Sequence, residues 1–497
     1  MTKCITQTNL TAQYVKGQLD SNMVKLESVN IVLSIDAIDI KLFQKNSDIY
    51  TSIFIFYALP TDQDIKGFPV HALLHESGKT TKEVKEITNV IIKAINSVEM
   101  CYVPIKVVDG EAGNNPEHRT QFNEFVKIYK TEGFRGLINM IQKNFKEKNK
   151  TYIMTDMIHY GKNRRTQVIL ADLLINKNVV DISPLQNILK NSGSVTDLSS
   201  LSKLQDAFPI EMFNFDVVYK LINKEAWNLV LFMLPMSCWL EAALNTELDR
   251  NSRLFLIETA FLIYMRIYEI QLENRVYDEM QPQISLIRAM NSLAILYAAF
   301  DTDDDDFSFN RHTTTPQENF HGCIRGLLTN NDNYDVILRN IAKAALVYRY
   351  KRELDIPTTA RTRISVGGIH WNAEIHKLHA IPQQGSLKLQ AADVAQFFFA
   401  QSSYEFANTN KDAHKRIIQF WVANVSKGTF MLKTTLRAYH GKHILTRQIS
   451  NSKDLKDRCE LSLENDVNES DEGKKAFEEE IEAFSEAMKE EMLTRMF

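Results

Sequence analysis

The sequence predicts an α/β fold, a mixed sheet with flanking helices interrupted by a large all-helical insertion, and three observations carry that prediction. Short runs rich in Val, Ile and Phe alternate with stretches whose apolar residues recur at helical spacing up to about residue 155. Between residues 176 and 309 strand signals vanish, and apolar runs too long for strands replace them. Acidic residues, finally, close several of the early apolar runs, a placement that suits chemistry better than packing.

In order, residues 29–36, 51–59 and 68–76 read as three strands. The stretch TTKEVKEITNVIIKAINSV places Val84, Ile87, Val90, Ile91 and Ile95 on one helical face. Strand 102–108 follows, then the polar turn DGEAGNN, helical material at 118–146, strand 151–155 and a basic helix from near 160. The insertion 176–309 holds AWNLVLFMLPMSCWLEAAL and SRLFLIETAFLIYMRIYEIQ. Residues 310–400 return to the core, with one helix from Gln317 and another in LKLQAADVAQFFFAQ. The expected division is an arm (1–28), a first core part (29–175), the insertion (176–309), a second core part (310–400), a C-terminal region (401–460) and an acidic tail (461–497). In that tail Phe477, Ile481, Phe484, Met488 and Met492 form an apolar helical stripe.

A chain of 497 residues with 44% hydrophobic and 24% charged residues can bury a sizeable core. Its net charge of −4 is unlike a compact nucleic-acid-binding domain, but the excess acid is concentrated in DTDDDD at 301–306 and after residue 460. The five cysteines are widely spaced and never form CxxC, which argues against a disulfide framework or zinc finger and for a reducing compartment. No apolar leader is seen at the N-terminus, and Pro235 interrupts the longest apolar stretch, so no membrane partner is expected.

Asp36 closes IVLSID, Asp109 closes YVPIKVVD, and Glu318 lies far downstream in TTTPQENFHGCIR. Carboxylates at strand ends are held rigidly while their oxygens reach solvent. Hard oxygen ligands of this kind suit Mg²⁺ or Mn²⁺ in two-metal phosphoryl transfer. Asp156 and His159 form a DxxH at the start of a helix and are expected to support the site. Lys162, Arg164 and Arg165 follow and are expected, with Arg349, Lys351 and Arg352 beside Tyr348 and Tyr350, to meet DNA phosphates. A β-β-β-α-β-α-β-α order with a carboxylate on the first strand and another after the fourth is the RNase H-like plan. Two imitations are set aside. SGKTT at 77–81 has Leu73 where a phosphate-binding loop needs Gly, and DTDDDD has Asp306 and His312 where a calcium loop needs Gly and Glu.

The strings LSIDAIDIK, VVDGEAGNN, TDMIHYGKNRR and TTPQENFHGCIRGLLTNNDN together resemble, in order, four blocks of the P-element-type transposases, over about residues 30–340. The last, which approximates NQDxLENFFGxIR with a later NDN, is the most specific. The resemblance implies an RNase H-like core and cut-and-paste DNA transposition with Mg²⁺ or Mn²⁺. It further implies a catalytic and metal-binding triad of Asp36, Asp109 and Glu318, action on transposon ends and target DNA as a homo-oligomer, and a nuclear location. In some members the helical insertion binds guanine nucleotide. Here Thr315 stands where the block usually has Asp and His321 replaces an aromatic, which counts against that cofactor. No Cys/His cluster precedes residue 30, so the family's zinc-coordinating N-terminal module is not expected. The transposase reading includes a truncated copy; the alternative is a catalytically retired, domesticated transposase-derived protein that is DNA-associated or a scaffold.

Overall fold

The structure, a computed structural model, describes residues 13, 15–17, 29–39, 52–61, 67–75, 79–99, 101–109, 112–170, 174–175, 178–189, 207–244, 250–273, 284–301, 312, 315–327, 334–353, 383–384, 387–388 and 390–401. Three strands open it, β1 (Val29–Asp39), β2 (Ser52–Pro60) and β3 (Phe68–His75), followed by helix α1 (Lys82–Asn96) and strand β4 (Cys101–Val108). A 3-10 turn (Ala112–Asn114) leads into α2 (Asn115–Glu147), then β5 (Tyr152–Thr155) and α3 (Met157–Leu170). The sheet runs β3-β2-β1-β4-β5, with β2 antiparallel to both neighbours and β4 parallel to β1 and β5.

Period-two alternation explains why these strands read as near-continuous apolar runs, because both faces are covered. Ile31, Leu33 and Ile35 of β1 join Val84, Ile87, Ile91 and Ile95 of α1 in one core. Val32 and Ile38 point into a second, larger core shared with α2. Thr81 caps α1 by accepting from the Val84 N–H at 3.4 Å. The helical material expected at 118–146 forms α2, which is broken at Gly133, whose φ of +71° only glycine adopts without strain.

A two-residue hairpin, β6 (Leu174–Ile175) with β7 (Asn178–Val179), crosses the expected start of the insertion, so that stretch is not wholly helical. All the other elements described up to residue 300 are helices: α4 (Ser183–Leu189), α5 (Ala207–Met212), α6 (Phe215–Asn223), α7 (Trp227–Leu244), α8 (Arg250–Glu273) and α9 (Ile284–Phe300). Helix α7 runs through Pro235. The segment does not build a core of its own. Trp239 and Leu293 belong to the same buried cluster as Val32 and Ile55. Helix α9 is stitched to the sheet layer where the Ser292 hydroxyl accepts from Thr155 N–H at 3.0 Å and the Asn291 amide donates to the His118 carbonyl at 2.8 Å.

Helices α10 (Thr315–Leu327) and α11 (Tyr334–Glu353) follow, then the hairpin β8 (Gln383–Gln384) with β9 (Leu387–Lys388) and helix α12 (Ala391–Gln401). Phe397 of α12 meets Trp227 of α7 edge-on, with ring centres 6.1 Å apart. The acidic run from residue 302 and the stripe from Phe477 to Met492 lie outside the described residues. Among the described residues no helix is long and apolar enough to cross a membrane.

Candidate functional site

Register alone brings Asp36 and Asp109 together. The last aligned pair of the parallel ladder is Ile35 with Val108, and each Asp is the next residue of its strand. Neighbouring strands lie about 4.8 Å apart, so the two carboxylates stand side by side where the β1–β4 pairing ends, although β1 itself continues to Asp39 along β2. Both side chains keep some contact with solvent, 12% for Asp36 and 34% for Asp109. They line one cleft with Thr80, Lys85, Lys106 and Glu117.

The helix that carries the third predicted residue, α10, packs against this corner through its neighbours. Gln317, fully buried, donates from Nε2 to the Ile55 carbonyl of β2 at 2.8 Å, with the Asp36 carbonyl 3.5 Å from the same nitrogen, while its Oε1 accepts from the Ser34 hydroxyl. One turn later, His321 places Nδ1 3.5 Å from Asp36 Oδ2. The helix is thus pinned to β1 and β2 at its first turn, and Glu318 is the residue immediately after the pin. The Glu318 side chain lies outside the described residues. Neither Gln317 nor the Asp36 role of His321 was predicted. Their i, i+4 spacing is the available signal, two polar residues on one helical face beside the buried Phe320 and Ile324.

The DxxH divides its labour. Asp156, fully buried, caps α3, its Oδ1 accepting from His159 N–H at 2.9 Å and its carbonyl from Tyr160 N–H at 2.9 Å. Its own N–H donates to the Val108 carbonyl at 3.1 Å, extending the β4–β5 ladder. The cap sets the first turn of α3 so that His159 Nδ1 lies 3.2 Å from Asp109 Oδ1. Each strand-end carboxylate therefore has one imidazole beside it, His321 for Asp36 and His159 for Asp109.

The basic residues that follow are not where a phosphate-binding role needs them. Lys162, Arg164 and Arg165 are all buried, Arg165 at 1% exposure, and the Arg164 guanidinium lies 4.4 Å from the centre of the Phe232 ring. The reason is packing. Helix α3 is covered by α5 and α7, with Pro209 and Met236 against Gly161, so residues that read as a solvated basic face sit beneath the helical segment. Arg349, Lys351 and Arg352 occupy the last turns of α11, and their side chains lie outside the described residues.

The cations that do line the carboxylate cleft are Lys85 and Lys106, both held by Glu117, Lys85 at 3.8 Å. Lys106 had a readable signal, a single charge in the otherwise apolar strand CYVPIKVV. The 3-10 turn closes the cleft by packing Gly113 onto Thr80, where an added Cβ would stand 2.4 Å from the Thr80 carbonyl oxygen.

Hard carboxylate oxygens, paired and partly solvated, fit a divalent cation. Among the described residues no three His, Cys, Asp or Glu side chains gather as a metal-ligand set, and the Glu318 carboxylate falls outside that description. No family model and no curated protein matches the sequence. Among solved structures the chain is similar to the Drosophila P element transposase strand transfer complex, at 13% identity over 65% of this chain and 78% of that one, with a TM-score of 0.47.

Proposed function

We propose that the chain is the catalytic region of a P-element-type transposase, an RNase H-like core that cleaves and rejoins DNA with Mg²⁺ or Mn²⁺ held by Asp36, Asp109 and Glu318. The observation that carries this reading is the alignment of Asp36 and Asp109 just past the last parallel pair of β1 and β4, with the helix of Glu318 pinned to β1 and β2. The sheet order β3-β2-β1-β4-β5, antiparallel only at β2, supports the fold assignment. A divalent pair bound there would stabilise charge developing on the phosphate and lower the pKa of an attacking water or 3′-hydroxyl. Asp36, on the central strand, would hold the ions together with Asp109 and Glu318. His321 and His159 orient the first two carboxylates, and Lys85 and Lys106 face the cleft into which a phosphodiester would enter.

The test is Mg²⁺-dependent cleavage and strand transfer on duplexes carrying candidate transposon ends. Asp36→Asn is expected to abolish both while leaving the chain folded, because the amide keeps an oxygen acceptor beside Ala37 and His321 and removes one of two neighbouring negative charges. Unfolding of the variant would make Asp36 a structural residue. The burial of Lys162, Arg164 and Arg165 favours the second reading, a catalytically retired DNA-associated scaffold. That reading gains if the wild-type chain binds DNA and never cuts it.

A further inference from the structure

The network behind Asp36 fixes more than the position of α10. The Ile55 carbonyl can only accept, so the Gln317 atom 2.8 Å from it must be the amide nitrogen. That nitrogen carries two N–H donors and no acceptor; one is taken by Ile55, and the other faces His321 Nε2 at 3.3 Å, nearer than the Asp36 carbonyl at 3.5 Å. A hydrogen bond between them requires His321 Nε2 to accept, which in the neutral ring leaves the proton on Nδ1. Nδ1 is the atom that faces Asp36 Oδ2 at 3.5 Å. The other carboxylate oxygen, Oδ1, accepts from the Ala37 N–H at 2.8 Å. Both oxygens of Asp36 thus have a donor beside them, one from its own strand and one from α10. Ser34, Gln317 and His321 are each at most 1% exposed, so this alignment is set in the interior and not by solvent.

We infer that Gln317 and His321 form a positioning relay, in which Gln317 fixes the His321 tautomer and His321 aims the Asp36 carboxylate, so that the metal-ligand geometry at β1 depends on the docking of α10. The inference rests on the metal-site reading above. Partners of this kind, which hold a ligand without touching the metal, tune metal affinity by about 10- to 100-fold when removed. Gln317 and His321 are positioning residues; neither is required to contact substrate.

The experiment measures Mn²⁺ binding by the full chain, with Mn²⁺ alone as the probe, by the loss of the free-ion electron paramagnetic resonance signal. His321→Phe is expected to weaken binding at least about 10-fold without lowering the melting temperature, since an apolar ring replaces a buried polar one. Two amide variants separate the ends of the ring. His321→Asn keeps a donor at the Nδ1 position and should bind Mn²⁺ within about 3-fold of wild type, a small fraction of the loss expected for a missing partner. His321→Gln keeps only the Nε2 position and should behave like the Phe variant. If Phe destabilises the chain, the Asn and Gln pair still decides. Equal affinity in those two, or wild-type affinity in the Phe variant, overturns the relay while Asp36→Asn still abolishes binding. Wild-type binding in Asp36→Asn overturns the metal-site reading itself, and the relay with it.

Discussion

Asp36 and Asp109 occupy matched positions just past the last aligned pair of neighbouring strands, yet they are held by different kinds of structure. The imidazole beside Asp36 arrives from α10, whose anchor Gln317 is 281 residues away in sequence and wholly buried. The imidazole beside Asp109 comes from α3, the next element after the adjoining strand, and is 21% exposed. One corner is assembled by long-range packing and the other by a local strand-to-helix turn. A site with one corner of each kind can be complete only when the distant helix has docked, whereas its local corner forms with the sheet.

The largest expected effect that would break this contrast is at the anchor. Gln317→Leu leaves the Ile55 carbonyl and the Ser34 hydroxyl without their partner in the interior, and should cost about 1–3 kcal/mol for each orphaned group. Urea denaturation followed by far-UV circular dichroism measures it. A change below about 0.5 kcal/mol, the range of ordinary surface substitutions, would mean that α10 is not held by this residue.

A pH effect sharpens the comparison from the sheet side. Burial, with Arg288 and Lys106 adding repulsion, lowers the pKa of His118 from 6.5 to about 3. Because the folded value is depressed, the contribution of His118 is fully present above about 6.5 and is lost as the pH falls from there toward about 3. The slope in that window approaches about 1.4 kcal/mol per pH unit for one proton. His118→Asn should flatten the stability profile between those limits, measured by denaturation at a series of pH values. An unchanged slope would assign the acid sensitivity to other groups.

The smallest expected effect is at the local corner. His159→Gln removes the partner of a carboxylate that is already 34% exposed and can be hydrated, so Mn²⁺ affinity should fall by less than in His321→Phe, only a few-fold against the roughly 10- to 100-fold range for well-held partners. Binding titrations of the two variants side by side check the order. A larger loss at His159 would reverse the assignment of the rigid corner.

The local corner was legible in the sequence. Asp36 and Asp109 each end an apolar run, the strand order follows from those runs, and an Asp that caps a helix three residues before a His needs no tertiary information. Asp109 as the target of His159 was not legible, since the ring direction depends on the β4–β5 register. The docking of α10 was hidden for a stronger reason. Nothing in a linear pattern pairs Gln317 with Ser34 and Ile55, because each is satisfied only by the others' backbone or side chain across the fold. Lys162, Arg164 and Arg165 misled because charge suggests solvent. The contrary signal was in the same helix, where Met157, Ile158, Tyr160 and Val168 are buried and apolar residues have no single face. Equally illegible was the contact of α9 with the sheet layer, made by its buried Asn291 and Ser292.

The central claim is that three segments of chain, at Asp36, Asp109 and Glu318, share one divalent-ion site. Fe²⁺ substituted for Mg²⁺ in the presence of ascorbate and peroxide generates hydroxyl radicals at the ion, and these cut the nearest backbone, so the fragments report which segments converge. Cuts are expected beside all three residues, suppressed together by excess Mg²⁺ and lost together in Asp36→Asn. Cuts confined to the segments of Asp36 and Asp109, with the first turn of α10 intact, would contradict it.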